Sequence, residues 1–325
     1  MVGVQNADGT FDVISVRHRA SRPGFALASA AALLAILALR SLWPAHRSSV
    51  DPQKSVARAR ALGDRHGILI GFGAPDTFFV PPYQPADARI VNGVATSVDM
   101  AALPPALDGI EQSLAVYPPG FVAKHCKAIF ICGSLMLGGA EAGGTYGPAW
   151  IILVATQKVG EAGIFETARL GVHHELSSLV WNANPRLRTP WAAELPSNWR
   201  PAATPAEELA AARPEVEREM LDSRGDGFLS AYGATSTEND FNVYAETIFT
   251  DANRVLRLAK SQPRVARKVG LLMAAYIDLD ASFVALFARL GLDDLQPARL
   301  DSADEGMTVS PMAIPSGHVV RPERY

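Results

Sequence analysis

The spacing of apolar residues divides the chain into pieces. Asp51–His66 is a basic amphipathic stretch that reads as helix, and Gly67–Gly73, GILIGFG, reads as a short strand bounded by glycine. Leu103, Leu107, Ile110 and Leu114 recur at spacings of 4, 3 and 4, one face of a helix within 99–116 that begins near Pro104 and Pro105. Two apolar runs, Ala128–Leu137 and Ala149–Ala155, flank the glycine-rich GGAEAGGTYGP and read as neighbouring antiparallel strands. Helical periodicity returns in Gly163–Trp181. There Phe165, Ala168, Val172, Leu176 and Leu179 form a core stripe, while Gly171, His174, Glu175 and Ser178 share another face. Residues 184–206 hold five prolines and read as a long surface crossing. Thr204–Leu221 reads as a charged helix, 222–237 as a loop, and Glu238–Ala259 and Arg264–Leu290 as helices before a polar, irregular tail from Asp301. The RGD at 224–226 is ordinary turn composition, and Trp181, Trp191 and Trp199 read as hydrophobic anchors.

The 325 residues, 48% hydrophobic and 19% charged, suit a globular protein of one or two domains. A formal net charge of −3 without a long basic run argues against a nucleic-acid partner. The glycine-rich stretch lacks a following Lys-Ser or Lys-Thr, so it is not a phosphate loop. Phe25–Leu39 is a run of 15 residues without a charge, preceded by Arg17, Arg19 and Arg22 and followed by Arg40. As helix it covers about 22 Å against a hydrocarbon core of about 30 Å. Extension to Trp43, with Arg40 snorkelling, brings it close to a span. The expected organisation is a tail at 1–24, a signal peptide or signal anchor at 25–43, and an extracytoplasmic domain at 44–325, periplasmic or on the outer face, secreted or held to the membrane. A buried alanine-rich helix is the other reading of 25–43. No cysteine directly follows the run, which excludes a lipoprotein. Cys126 and Cys132 lie along one extended segment about 20 Å apart, beyond the reach of a disulfide, and are expected as free, buried thiols.

The chemistry concentrates in HHELSS, 173–178. In a zinc hydrolase helix, two histidines four apart put both imidazoles on one face, and the glutamate between them faces the reacting water as general base. His174 and Glu175 supply the first half, and Ser178 stands where the second imidazole belongs. His173 lies about 100° around the helix from His174 and does not simply substitute. A serine hydrolase built on Ser177 or Ser178 with His173 or His174 lacks the strand-turn-helix elbow such a nucleophile needs.

A second segment joins it. SAYGATSTENDFNVYAETIF, 230–249, runs from a tyrosine-glycine loop into an acidic helix. It resembles the third-ligand helix of gluzincin metallopeptidases of the lethal-factor-like branch, where a tyrosine-glycine precedes a helix of the type N-E-x-E-F-F-A-E. The order upstream is also similar: a helix closed by Tyr-Pro, a strand pair, then the His-Glu helix, over roughly 98–290. The resemblance implies an α+β zincin-like fold, a small mixed sheet with an edge strand, then an active-site helix and a mostly helical C-terminal half. It implies a zinc-dependent metallopeptidase hydrolysing peptide bonds. His174 would be a zinc ligand and Glu175 the general base, with Asp240 as the metal-binding acid before Phe241 and Glu238 as its rival. Tyr232 would support the oxyanion, Glu246 would orient a ligand, and strand 149–155 would pair with substrate backbone. Glu238 and Asp240 are about 200° apart on a helix, so only one can face the metal. Ser178 is the departure from the family, with His173, His125 or His318 as other donors the fold could bring in. The alternative implied is a catalytically inactive zincin-like protein that binds a peptide or protein partner.

Overall fold

The computed structural model describes residues 3–5, 11–13, 51–72, 93–204, 207–208, 211, 225–295 and 297–298. The chain divides into two units, 1–49 and 50–325. In the first, β1 (Gly3–Gln5) pairs antiparallel with β2 (Phe11–Val13). The apolar stretch 25–43 lies outside the described residues, as do the tail from 301 with His318 and most of the expected charged helix at 204–221. Among the described residues no helix is long and apolar enough to cross a membrane. No described helix bears out the expected membrane-spanning signal anchor, whose residues 25–43 are not among those described.

The second unit is mixed α and β. Asp51 caps α1 (Pro52–His66) by accepting from the Gln53 amide, and Gly67 ends it at φ 68°. Then come β3 (Leu69–Gly71), β4 (Val94–Thr96), α2 (Leu103–Leu114) and the short α3 (Phe121–His125). The strands β5 (Ala128–Cys132), β6 (Ser134–Leu137), β7 (Ala140–Glu141), β8 (Gly144–Gly147) and β9 (Trp150–Val154) follow. The helical half comprises α4 (Gly160–Ala183), α5 (Arg188–Ala193), α6 (Thr237–Ser261), α7 (Pro263–Leu279) and α8 (Phe283–Arg289). Residues 184–193, expected as loop, form a turn of 3-10 helix and α5, so that Trp191 is buried.

Two expectations about the sheet are corrected. The run 128–137 is not one strand, nor is 149–155 its antiparallel partner. Gly133, which packs against the Ser97 carbonyl with no room for a Cβ, separates β5 from β6. The main sheet has the order β3-β5-β9-β8, with β3, β5 and β9 parallel and β8 antiparallel to β9. β6 leaves to pair with β4 and β7 in a second sheet. The glycine-rich segment is therefore an excursion long enough to let β9 run parallel to β5. The edge next to the helices is consequently β8, and β9 is paired on both sides.

Burial on both faces explains why β5 and β9 read as continuous apolar runs. Ile129, Ile131, Ile151 and Leu153 join the helical core, while Ala128, Phe130, Cys132, Trp150, Ile152 and Val154 pack with Leu135 and Leu137 of the second sheet. Both cysteines are free and buried. Helix α4 lies on this sheet through Ile164, Ala168, Val172 and Leu176. It approaches α2 closely at Gly109, whose Cβ would strike the Phe165 carbonyl, and Ser113 Oγ donates to Arg169 O across the contact at 2.7 Å. Ser236 caps α6 by accepting from the Asn239 amide, and α6 breaks at Asp251 (φ −149°, ψ 63°) beyond the residues that face α4.

Candidate functional site

The site forms where α4, the edge strand β8, the loop before α6 and the first half of α6 meet. On α4, residues four apart share a face, which aligns His174 with Ser178. On α6 the same spacing aligns Glu238, Asn242 and Glu246. His174 Nδ1 meets Glu246 Oε2 at 3.3 Å, and the Tyr232 ring lies 5.6 Å from the His174 ring. Burial alone would lower the His174 pKa, but the hydrogen bond to Glu246 and the nearby charges of Glu175, Glu246 and Glu238 outweigh it and raise it.

Glu175 is buried, 8% exposed. Burial pushes its carboxyl up to about 7; His174 opposes the shift, and the charges of Glu238 and Glu246 add to it. Its Oε1 lies beside Gly144 of β8, 2.7 Å from where a Cβ would stand, so glycine at 144 leaves room for the acid against the strand. Tyr146, on the same face of β8, takes a hydrogen bond from Asn182 Nδ2 at 3.0 Å and bonds Glu238. Burial, and after it Glu175, holds the Tyr232 phenol above its ordinary range, and the Tyr146 phenol is raised by burial and then Glu238.

Four of the five expected site residues, His174, Glu175, Tyr232 and Glu238, thus gather with Glu246 around one place. Asp240 does not, and its assignment as metal-binding acid is corrected. Its Oδ2 pairs with Lys268 Nζ at 2.6 Å and accepts from Trp191 Nε1 at 3.0 Å, with Asp240 and Lys268 both fully buried. The carboxylate is committed to joining α6 to α7 on the far side of the helix from Glu238. His173 also faces the core: Nδ1 lies 2.9 Å from Tyr117 Oη, and burial drives its pKa down to about 3. His125 packs against Phe121 in the same aromatic cluster, the two rings tilted by 46°.

The residue missed in the sequence is Asn242. Its Nδ2 donates to Ser178 Oγ at 2.7 Å, and its Oδ1 accepts from Ser177 Oγ at 2.6 Å. All three residues are buried. The available signal was the spacing 238, 242, 246 down one face of α6, opposite 174 and 178. Beyond Glu246 a polar cleft of about 450 Å³ opens between α4 and α6, bordered by Glu166, Arg169, Thr250 and Arg254.

Among the described residues, no group of three or more His, Cys, Asp or Glu side chains is placed to hold one metal ion. The chemistry of the donors agrees: the position four residues after His174 is a hydroxyl, and the group facing it is a carboxamide whose oxygen is already engaged. Both are poor partners for zinc beside imidazole and carboxylate. The chain matches no family model, no curated protein and no solved structure.

Proposed function

We propose that this is a zincin-like domain whose metal position has been closed, and that it binds an extended peptide along β8 instead of hydrolysing one. The observation that carries the reading is the run of hydrogen bonds from Ser177 through Asn242 to Ser178. Laid over Asn239–Glu246, NDFNVYAE, the pattern N-E-x-E-F-F-A-E aligns without a gap, with Asn239, Ala245 and Glu246 identical. In that register the acid before the phenylalanine pair becomes Asn242, and the final glutamate is Glu246, beside His174. Two of three coordinating positions are then neutral groups that satisfy one another. A zinc ion would have to break these bonds and would gain a hydroxyl and a carboxamide in return. The residues do not fit zinc. What remains is an edge strand beside a walled recess, and an edge offers unpaired backbone groups to an extended peptide.

Metal uptake tests the closed position. The full chain supplied with micromolar zinc should stay metal-free, and Ser178→His combined with Asn242→Glu should take up one ion per chain and lose it on His174→Ala. One zinc per wild-type chain, lost on His174→Ala, would overturn the proposal in favour of the peptidase reading. Strand pairing is tested separately. An extended peptide should bind, and the same peptide with methylated backbone nitrogens should not.

A further inference from the structure

The recess beside β8 has an excess of acid that the chain does not answer. Glu175, Glu238 and Glu246 act on one another and on a single imidazole, that of His174. Glu246 is tied to His174, and Glu238 is bonded to Tyr146. Glu175 differs from both. It is 92% removed from solvent, being 8% exposed. Among the described residues its carboxyl has neither a hydrogen bond nor an ion pair. A carboxyl this far removed from solvent and without a protein partner calls for a specific reason. The side chain points at the space Gly144 leaves open on the edge strand, between Tyr146 and Tyr232, both of which sense its charge.

A bare divalent ion does not answer this arrangement. Zinc needs its oxygen and nitrogen ligands at about 2.0–2.2 Å, and the acids here do not converge on one ion. An organic cation spans more. A guanidinium presents five N–H donors in a plane, reaches carboxylates at about 2.7–2.9 Å, and stacks on aromatic faces such as that of Tyr232. Gly144 and Tyr146 lie on one face of β8, with Thr145 on the other. A peptide paired to this edge sends alternate side chains to the same face, toward Glu175.

We propose that the recess takes a basic side chain, arginine ahead of lysine, of a peptide laid along β8, the cation pairing with Glu175 and Glu246 against the Tyr232 ring. This rests on the peptide-binding reading. The experiment measures binding to the full chain by calorimetry, using a short extended peptide with one central arginine, its citrulline counterpart, which keeps the shape without the charge, and free argininamide. The arginine peptide should bind at least tenfold more tightly than the citrulline peptide, the same peptide with lysine should fall between, and Glu175→Gln should erase the difference. Equal affinity for arginine and citrulline peptides would overturn the cation site and leave strand pairing intact. Argininamide binding that depends on Glu175, with no gain from the surrounding peptide, would keep the cation site and overturn strand pairing. No binding by any of the three would overturn both. The citrulline comparison needs no variant, so a misfolded Glu175→Gln chain does not obscure the result.

Discussion

Two buried carboxyls, Asp240 and Glu175, lie at opposite sides of the α4–α6 contact, and each is held above its ordinary range mainly by burial, Asp240 at about 6 and Glu175 at about 7. Their surroundings differ completely. Asp240 has Lys268 at 2.6 Å and the Trp191 indole at 3.0 Å. Both of these contacts are made through Asp240 Oδ2, while its Oδ1 has no hydrogen-bond partner among the described residues. Lys268 donates in turn to Gly227 O and lies over the rings of Phe228, Tyr244 and Trp191. Glu175 has the open side of Gly144, two tyrosines, the His174 imidazole and two other acids. An acid that the fold fastens through one oxygen is a clamp; an acid that the fold surrounds without engaging either oxygen is a place for something else. The clamp also sets the rotation of α6. With Asp240 turned to α7, the row Glu238, Asn242, Glu246 must face α4.

The largest effect that could break this contrast is at the clamp. Lys268→Met should lower unfolding free energy by about 3–5 kcal/mol, because it leaves a buried carboxylate unpaired. Adding Asp240→Asn should recover most of that loss, since replacing both partners removes the stranded charge. Chemical denaturation of the two variants decides it; a loss under about 1 kcal/mol in the single variant would mean that Asp240 does not fasten α6.

At the other acid the sign reverses. The Glu175 carboxyl titrates near 7 when folded against an ordinary 4.5, so the folded state holds its proton more tightly than the unfolded state does. Stability attached to that proton is complete below pH 4.5 and fades as pH rises to 7, by about 1.4 kcal/mol per pH unit and about 3 kcal/mol in all. Glu175→Gln should therefore be more stable than wild type at pH 8 and nearly equal to it at pH 4.5. Denaturation midpoints at the two values measure this. A variant less stable than wild type at pH 8 would show that Glu175, like Asp240, has a partner inside the fold.

How much of this was legible beforehand follows from what each signal encodes. Periodicity placed α1, α2, α4 and α6, because each buries one stripe. It could not order the sheet. Strands buried on both faces carry no alternation, so β5 and β9 looked alike whether parallel or antiparallel, and the edge was assigned to β9 instead of β8. His174, Glu175, Tyr232 and Glu238 came together because a motif and helical spacing name them. Asp240 was misassigned because an acid beside a phenylalanine looks the same whether its partner is a ligand or Lys268, 28 positions further along. Asn242 escaped notice because a search for coordinating residues passes over a carboxamide. Its meaning appears only opposite Ser178.

The smallest effect is the most direct test of how the position between α4 and α6 is closed. Ser178→Ala should cost about 1–2 kcal/mol, since it leaves the buried Asn242 amide with one donor unmet. Asn242→Ala should cost more, because it strands Ser178 and also frees Ser177, whose hydroxyl still has the His174 carbonyl at 2.6 Å. If the Ser178–Asn242 bond is a working contact, the double variant should cost less than the sum of the two, with a coupling of about 0.5–1.5 kcal/mol. Strict additivity would mean that the two groups do not hold each other. The gap between α4 and α6 would then be filled by packing alone, and restoring zinc there would need only the ligands and not the removal of a competing bond.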